Sequence, residues 1–290
     1  MTDKTPLGID LLDSRYGGIF RGRPLLVCGP TKSGKTTAAF HFLSKGLRLR
    51  ERCLFLTARP AADLIAQAEG LGFGFANAAR DGDLLLLEYS DDVPGRHSES
   101  QITLPPDSFT QLASVISEQA VARLVLDTCL PWVAVKSPDR LEEHVFSFVR
   151  SLDRMGVTTL LTMPKAASLA SAKLYKMMEG QVPISLTFDY EEQDRSRLMI
   201  VNKYIGMDDK VGLEIPFSIS SGQGIAKPTA PDTTVVKPAP QEVKEPAKEP
   251  IEPSASEVHV EEKKPVEPDS SHEEHDGGLR FSSHLARSGA

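Results

Sequence analysis

The octapeptide Gly29-Pro30-Thr31-Lys32-Ser33-Gly34-Lys35-Thr36 constrains this chain more than any other feature, because it satisfies G-x-x-x-x-G-K-[ST] in full. It also has the required setting. An apolar run, Pro24-Leu25-Leu26-Val27-Cys28, precedes it and a helix-compatible stretch follows. A strand, a glycine-rich turn and a helix in this order let the backbone curl, so that successive N–H groups and the helix N-terminus face a phosphate. At this spacing Lys35 reaches the β and γ phosphates of a nucleotide and the Thr36 hydroxyl is placed for Mg²⁺. The expected nucleotide-binding residues are Gly29, Pro30, Thr31, Lys32, Ser33, Gly34, Lys35, Thr36 and Thr37.

Around this loop, short apolar runs alternate with longer amphipathic segments, as parallel strands joined by crossover helices do. Strands are predicted at residues 25–28, 53–57, 84–89, 124–127 and 158–162, and helices at 35–49, 61–71, 109–120 and 141–155. Residues 184–190 and 198–203 then alternate around a polar link at 191–196, which predicts an antiparallel hairpin at the sheet edge; residues 213–219 extend it. The expected architecture is α/β, a mostly parallel central sheet with helices on both faces.

A phosphate loop of this kind needs a second Mg²⁺ anchor at the end of a neighbouring buried strand. Arg123-Leu124-Val125-Leu126-Asp127-Thr128 has that form, and Asp127 is the candidate ligand beside Thr36. Glu88, ending the run at 84–88, is the candidate for a catalytic base.

Composition divides the chain. Residues 225–290 hold 8 Lys+Arg against 13 Asp+Glu and 9 of the 21 prolines, so most of the net charge of -7 lies there. Such a stretch cannot bury enough apolar surface to offset its ordering entropy. The expected domains are therefore 1–224, ordered and nucleotide-binding, and 225–290, a disordered tail rich in Pro, Glu and Lys. Within the tail, Phe281 and Leu285 stand i, i+4 between Arg280 and Arg287, a pattern for a short helix that docks on a protein partner. The acidic balance argues against nucleic acid. Cys28, Cys53 and Cys129 lack CxxC spacing and read as reduced core thiols of a cytoplasmic protein. No apolar leader or membrane-length run is expected.

Gly8-Ile9-Asp10-Leu11-Leu12-Asp13, Gly17-Gly18-Ile19-Phe20-Arg21-Gly22, the phosphate loop, Phe55-Leu56-Thr57, the Asp127 strand, Val157 to Thr162 and Pro216-Phe217-Ser218-Ile219 stand in one order. In that order the chain resembles the KaiC-like branch of the RecA superfamily. The resemblance implies a RecA-like P-loop fold, ATP with Mg²⁺, and ring or filament homo-oligomers with nucleotide between subunits.

Two departures bear on mechanism. Active members carry adjacent glutamates after the strand ending at Thr57, where this chain has Ala58-Arg59-Pro60. None of these can accept a proton from water at neutral pH, and general-base catalysis is worth about 10²–10⁴ in rate. The family's K-x-R-G, which reaches a neighbour's γ-phosphate, reads Lys203-Tyr204-Ile205-Gly206 here, so the resemblance implies Lys203 as the trans contact while Ile205 stands where the arginine would be. Binding parts are kept and turnover parts replaced, which implies an ATP-dependent assembly or signalling component with weak or no hydrolysis. An active ATPase or autokinase with a different base, and a RecA- or RadA-like DNA-binding recombination protein, are the alternatives.

Other residues read as packing or surface. His41, His97 and His144 share no spacing, and Trp132 lacks a basic cluster for base stacking. Arg48, Arg50 and Arg52 suit the C-terminal dipole of the first helix, and His272 and His275 lack a third metal ligand.

Overall fold

The structure, a computed structural model, describes residues 3–88, 106–133 and 140–228. Strands β1 (Lys4–Thr5) and β2 (Ile19–Phe20) pair antiparallel across helix α1 (Asp10–Tyr16). The loop strand β3 (Pro24–Gly29) leads into α2 (Lys35–Arg48), followed by β4 (Arg52–Thr57), α3 (Ala61–Gly70), α4 (Phe75–Arg80) and β5 (Leu84–Glu88). Next come α5 (Pro106–Glu118), β6 (Val121–Asp127), α6 (Leu130–Val133), α7 (Leu141–Met155), β7 (Thr158–Pro164) and α8 (Leu169–Gln181). Strands β8 (Ile184–Tyr190), β9 (Arg197–Tyr204), β10 (Glu214–Ser220) and β11 (Gly224–Ala226) close the order.

Nine of the eleven described strands, β3 to β11, form one sheet in the order β11-β10-β9-β8-β3-β7-β6-β4-β5. From β8 to β5 every pairing is parallel, and from β8 outward to β11 every pairing is antiparallel. Alternation decides which side chain faces which layer. Leu25 and Val27 of β3, Cys53 and Phe55 of β4, Val125 and Leu160 pack with α1 to α4. Their neighbours Leu26, Cys28, Leu54, Leu56, Leu124, Leu126 and Leu161 pack with α5 to α8. With both faces covered, the central strands read as continuous apolar runs, which is why the sequence exposed them so clearly.

The antiparallel hairpin of residues 184–190 and 197–204 is present, and β8 also pairs parallel with β3, which joins it to the central sheet. Two expectations need correction. The ordered chain passes Gly224, because Ile225 is buried and its N–H donates to His41 Nε2 at 2.7 Å. Of the three arginines expected to close the first helix, only Arg48 ends α2, while Arg50 turns at φ 61° and Arg52 begins β4.

Arg123 is almost wholly buried on β6, a position no pattern announced. Its guanidinium reaches Glu51 at 2.5 Å, the Pro6 and Phe42 carbonyls at 2.9 Å each, and the Thr5 hydroxyl at 2.8 Å. Burying a charge is tolerable only with such pairing, so this one residue fastens the N-terminal segment to α2 and the sheet. Residues 229–290, with Phe281, Leu285, His272 and His275, lie outside the described residues, as does His97.

Candidate functional site

Parallel strands present their carboxyl ends on one side of the sheet, and the site is built there. Gly29 ends β3, and a Cβ on it would run into the Phe188 carbonyl, so the close approach of β8 demands glycine. Gly34 caps α2 at φ 103°, a left-handed conformation that side chains resist. No side chain caps α2 and its first turn carries no acid, so its N–H groups and the positive end of its dipole are left for an anion.

Within this cradle the Lys35 ammonium donates to the carbonyls of Gly29 at 2.8 Å and Pro30 at 2.7 Å. Burial lowers its pKa while Asp127 nearby opposes the shift. The Ser33 hydroxyl is buried with no hydrogen-bond partner among the described residues. A half-buried cation with no ion-pair partner within 4 Å among the described residues, a free helix N-terminus and an unspent hydroxyl fit a bound polyphosphate.

Asp127 ends β6, with β7 lying between it and β3. The Thr36 hydroxyl donates to Asp127 Oδ2 at 3.3 Å, and Thr162 on β7 donates to Oδ1 at 2.5 Å. A hydroxyl beside a carboxylate is a hard oxygen pair suited to Mg²⁺, which would complete its shell with water and phosphate oxygens. Among the described residues no three or more His, Cys, Asp or Glu gather as an all-protein metal site. Thr162 was missed as a partner of Asp127; a hydroxyl at the carboxyl end of a buried strand was the available signal.

Arg59 stands just beyond β4, its Nη2 3.8 Å from Asp127 Oδ2 and its Nη1 donating to Gln67 on α3 at 3.2 Å. Glu88 is on the outermost parallel strand, where its carboxylate accepts the Ala61 N–H at 2.7 Å and caps α3. Lys203 lies at the end of β9 and donates to the carbonyls of Glu179 at 2.9 Å and Gly180 at 2.8 Å, the C-terminus of α8. Lys35, Thr36 and Asp127 are thus brought together, while Glu88 and Lys203 are occupied by helix ends.

Of the residues read as packing or surface, Trp132, His144 and His41 are packed. Trp132 is buried edge-on against Phe109, His144 Nε2 meets the Trp132 carbonyl at 2.9 Å, and His41 bridges Gly8 and Ile225. The three cysteines are free and buried, and burial pushes the thiols of Cys53 and Cys129 up to about 12. No helix among the described residues is long and apolar enough to cross a membrane.

Comparison with known proteins adds to this geometry. The family described as "ATPase: KaiC" matches residues 5–227. The circadian clock oscillator protein KaiC of Thermostichus vulcanus is 24% identical over 218 residues, covering 73% of this chain and 42% of that protein. KaiC of Synechococcus elongatus is 24% identical over 213 residues, 72% and 41% of the two chains. The chain thus spans less than half the length of these relatives. A crystal structure of a KaiC-like protein from Pyrococcus horikoshii OT3 matches with a TM-score of 0.63 at 23% identity, covering 78% of this chain and 98% of that one.

Proposed function

The chain belongs to the KaiC family of ATPases, and from that premise we propose that it binds ATP with Mg²⁺ and works as a nucleotide-dependent assembly or signalling component with little or no hydrolysis. One observation carries the reading. A lysine, a hydroxyl and a carboxylate suited to hold a nucleotide converge around residues 29–36, while the strand end beside Asp127 offers Ala58, Arg59 and Pro60, none of which can activate water.

In this reading Lys35 leaves the Gly29 and Pro30 carbonyls for the β and γ phosphates, and the N–H groups at the start of α2 complete the cradle. Mg²⁺, when bound, neutralises phosphate charge. Thr36 and Asp127 would hold it, and Thr162 orients the carboxylate from the other side. Residues 229–290 we assign as a tether whose segment 279–287 captures a protein partner, and the folded part as the unit of a homo-oligomer in the cytoplasm.

The test pairs calorimetry with phosphate release. Tight ATP binding, lost by about a hundredfold or more in Lys35→Ala, together with negligible release supports the proposal. Release at about 1 s⁻¹ or faster makes the protein a working ATPase instead. Unchanged affinity in Lys35→Ala would remove the nucleotide site.

A further inference from the structure

We propose that Arg59 is a working cation of the nucleotide site, one that neutralises Asp127 when the metal is away and turns to the terminal phosphate when nucleotide is bound. The proposal rests on the reading of residues 29–36 as an ATP-binding loop. It goes beyond that reading by giving the residue at the position of the missing glutamates a role of its own.

The observations concern one oxygen. Oδ2 of Asp127 accepts the Thr36 hydroxyl and also faces the Arg59 guanidinium at 3.8 Å. Arg59 is aimed there by its surroundings: its N–H donates to the Thr57 hydroxyl at 3.1 Å, and Gln67 holds the other side of the fork. Thr57 is itself buried and pairs in register with Asp127, so the main chain that carries Arg59 is fixed relative to the carboxylate. The Arg59 side chain is 44% exposed and that of Asp127 only 13%, so the cation can move while its partner cannot.

Physical chemistry supplies the rest. An arginine keeps its charge across the working pH range and presents a planar fork suited to carboxylate and phosphate alike. Mg²⁺ on Oδ2 would repel a guanidinium within 4 Å of the same atom. Arg59 would then leave for the nearest uncompensated negative charge, and the phosphate held by Lys35 lies on that side of the sheet. With the metal absent, the same guanidinium cancels the repulsion between Asp127 and a bound phosphate. ATP binding should therefore depend on Mg²⁺ much less than a lysine, a threonine and an aspartate alone would make it. An ordinary surface pair would instead contribute almost nothing and leave metal dependence untouched.

The experiment measures ATP affinity of the full chain by calorimetry, with Mg²⁺ and with EDTA, for wild type, Arg59→Gln and Arg59→Lys. We expect the wild type to lose about tenfold or less on metal removal. Arg59→Gln should weaken ATP binding by about fivefold with Mg²⁺, where the contact to the terminal phosphate is lost, and by about tenfold more than that in EDTA, where Asp127 is also left uncancelled; Arg59→Lys should lie between. With Mg²⁺ present, ADP, lacking the terminal phosphate, should feel Arg59→Gln by no more than about twofold. An unchanged ratio, an equal loss with and without metal, or an equal cost to ADP and ATP would overturn the proposal. Lys35→Ala separates the two levels: if it abolishes binding while Arg59→Gln changes nothing, the loop reading stands and the Arg59 role falls. If Lys35→Ala binds normally, the loop reading itself falls.

Discussion

Thr162 donates its hydroxyl to Oδ1 of Asp127 at 2.5 Å from the strand that separates the Asp127 strand from the phosphate loop. With Thr36 and Arg59 on Oδ2, the carboxylate is held from both sides, and its charge rather than its shape becomes the quantity to test.

Asp127→Asn keeps the volume and can still accept from Thr162, but it loses the formal charge that would bind Mg²⁺. The expected outcome is a Mg²⁺ titration of ATP binding displaced by about tenfold or more, with melting temperature nearly unchanged. An identical titration would assign Asp127 to structure alone.

Acid should loosen the fold through His41. Its Nδ1 lies 3.0 Å from the Gly8 carbonyl and its Nε2 accepts from Ile225, so the neutral ring is required, and burial lowers its pKa from 6.5 to about 4. A base with a depressed folded pKa contributes stability that is present above 6.5 and lost as pH falls from 6.5 towards 4, here about 3 kcal/mol at most. Denaturant midpoints at pH 7.5 and pH 5 should differ for the wild type and converge in His41→Gln. Equal pH sensitivity in both would exclude His41 as the source.

Lys203 is the proposed contact to a neighbouring subunit, yet it closes the carbonyl end of α8 within its own chain. Lys203→Met should lower stability by about 1 kcal/mol, since a helix C-terminus loses its cation. Light scattering at tens of micromolar should show an oligomer favoured by ATP over ADP and weakened by the same substitution. Monomers with either nucleotide would eliminate the interface.

Truncation reports on the tail. A chain ending after Pro228 should keep its ATP affinity and melting temperature while losing partner capture in cells. Ending it after Gly224 removes buried Ile225 and its bond to His41, and should cost about 2 kcal/mol. If the two truncations melt alike, β11 contributes nothing to the fold.

The local order of residues was enough to read the phosphate loop, the apolar strands around it and the aspartate at the end of residues 121–127. Each depends on short-range chemistry: glycines that permit a turn, strands buried on both faces, a charge at a strand end. What tertiary structure alone decided is pairing across long separations. That β8 joins the parallel sheet beside β3, that Arg123 is satisfied by Thr5 and Glu51, and that Ile225 belongs to the domain follow from contacts a periodicity cannot see. The same holds at the site. The sequence showed that Arg59 could not replace a glutamate, but only the adjacency of β4 and β6 set its guanidinium beside Asp127, because strand order is chosen by packing of whole layers and not by any local signal.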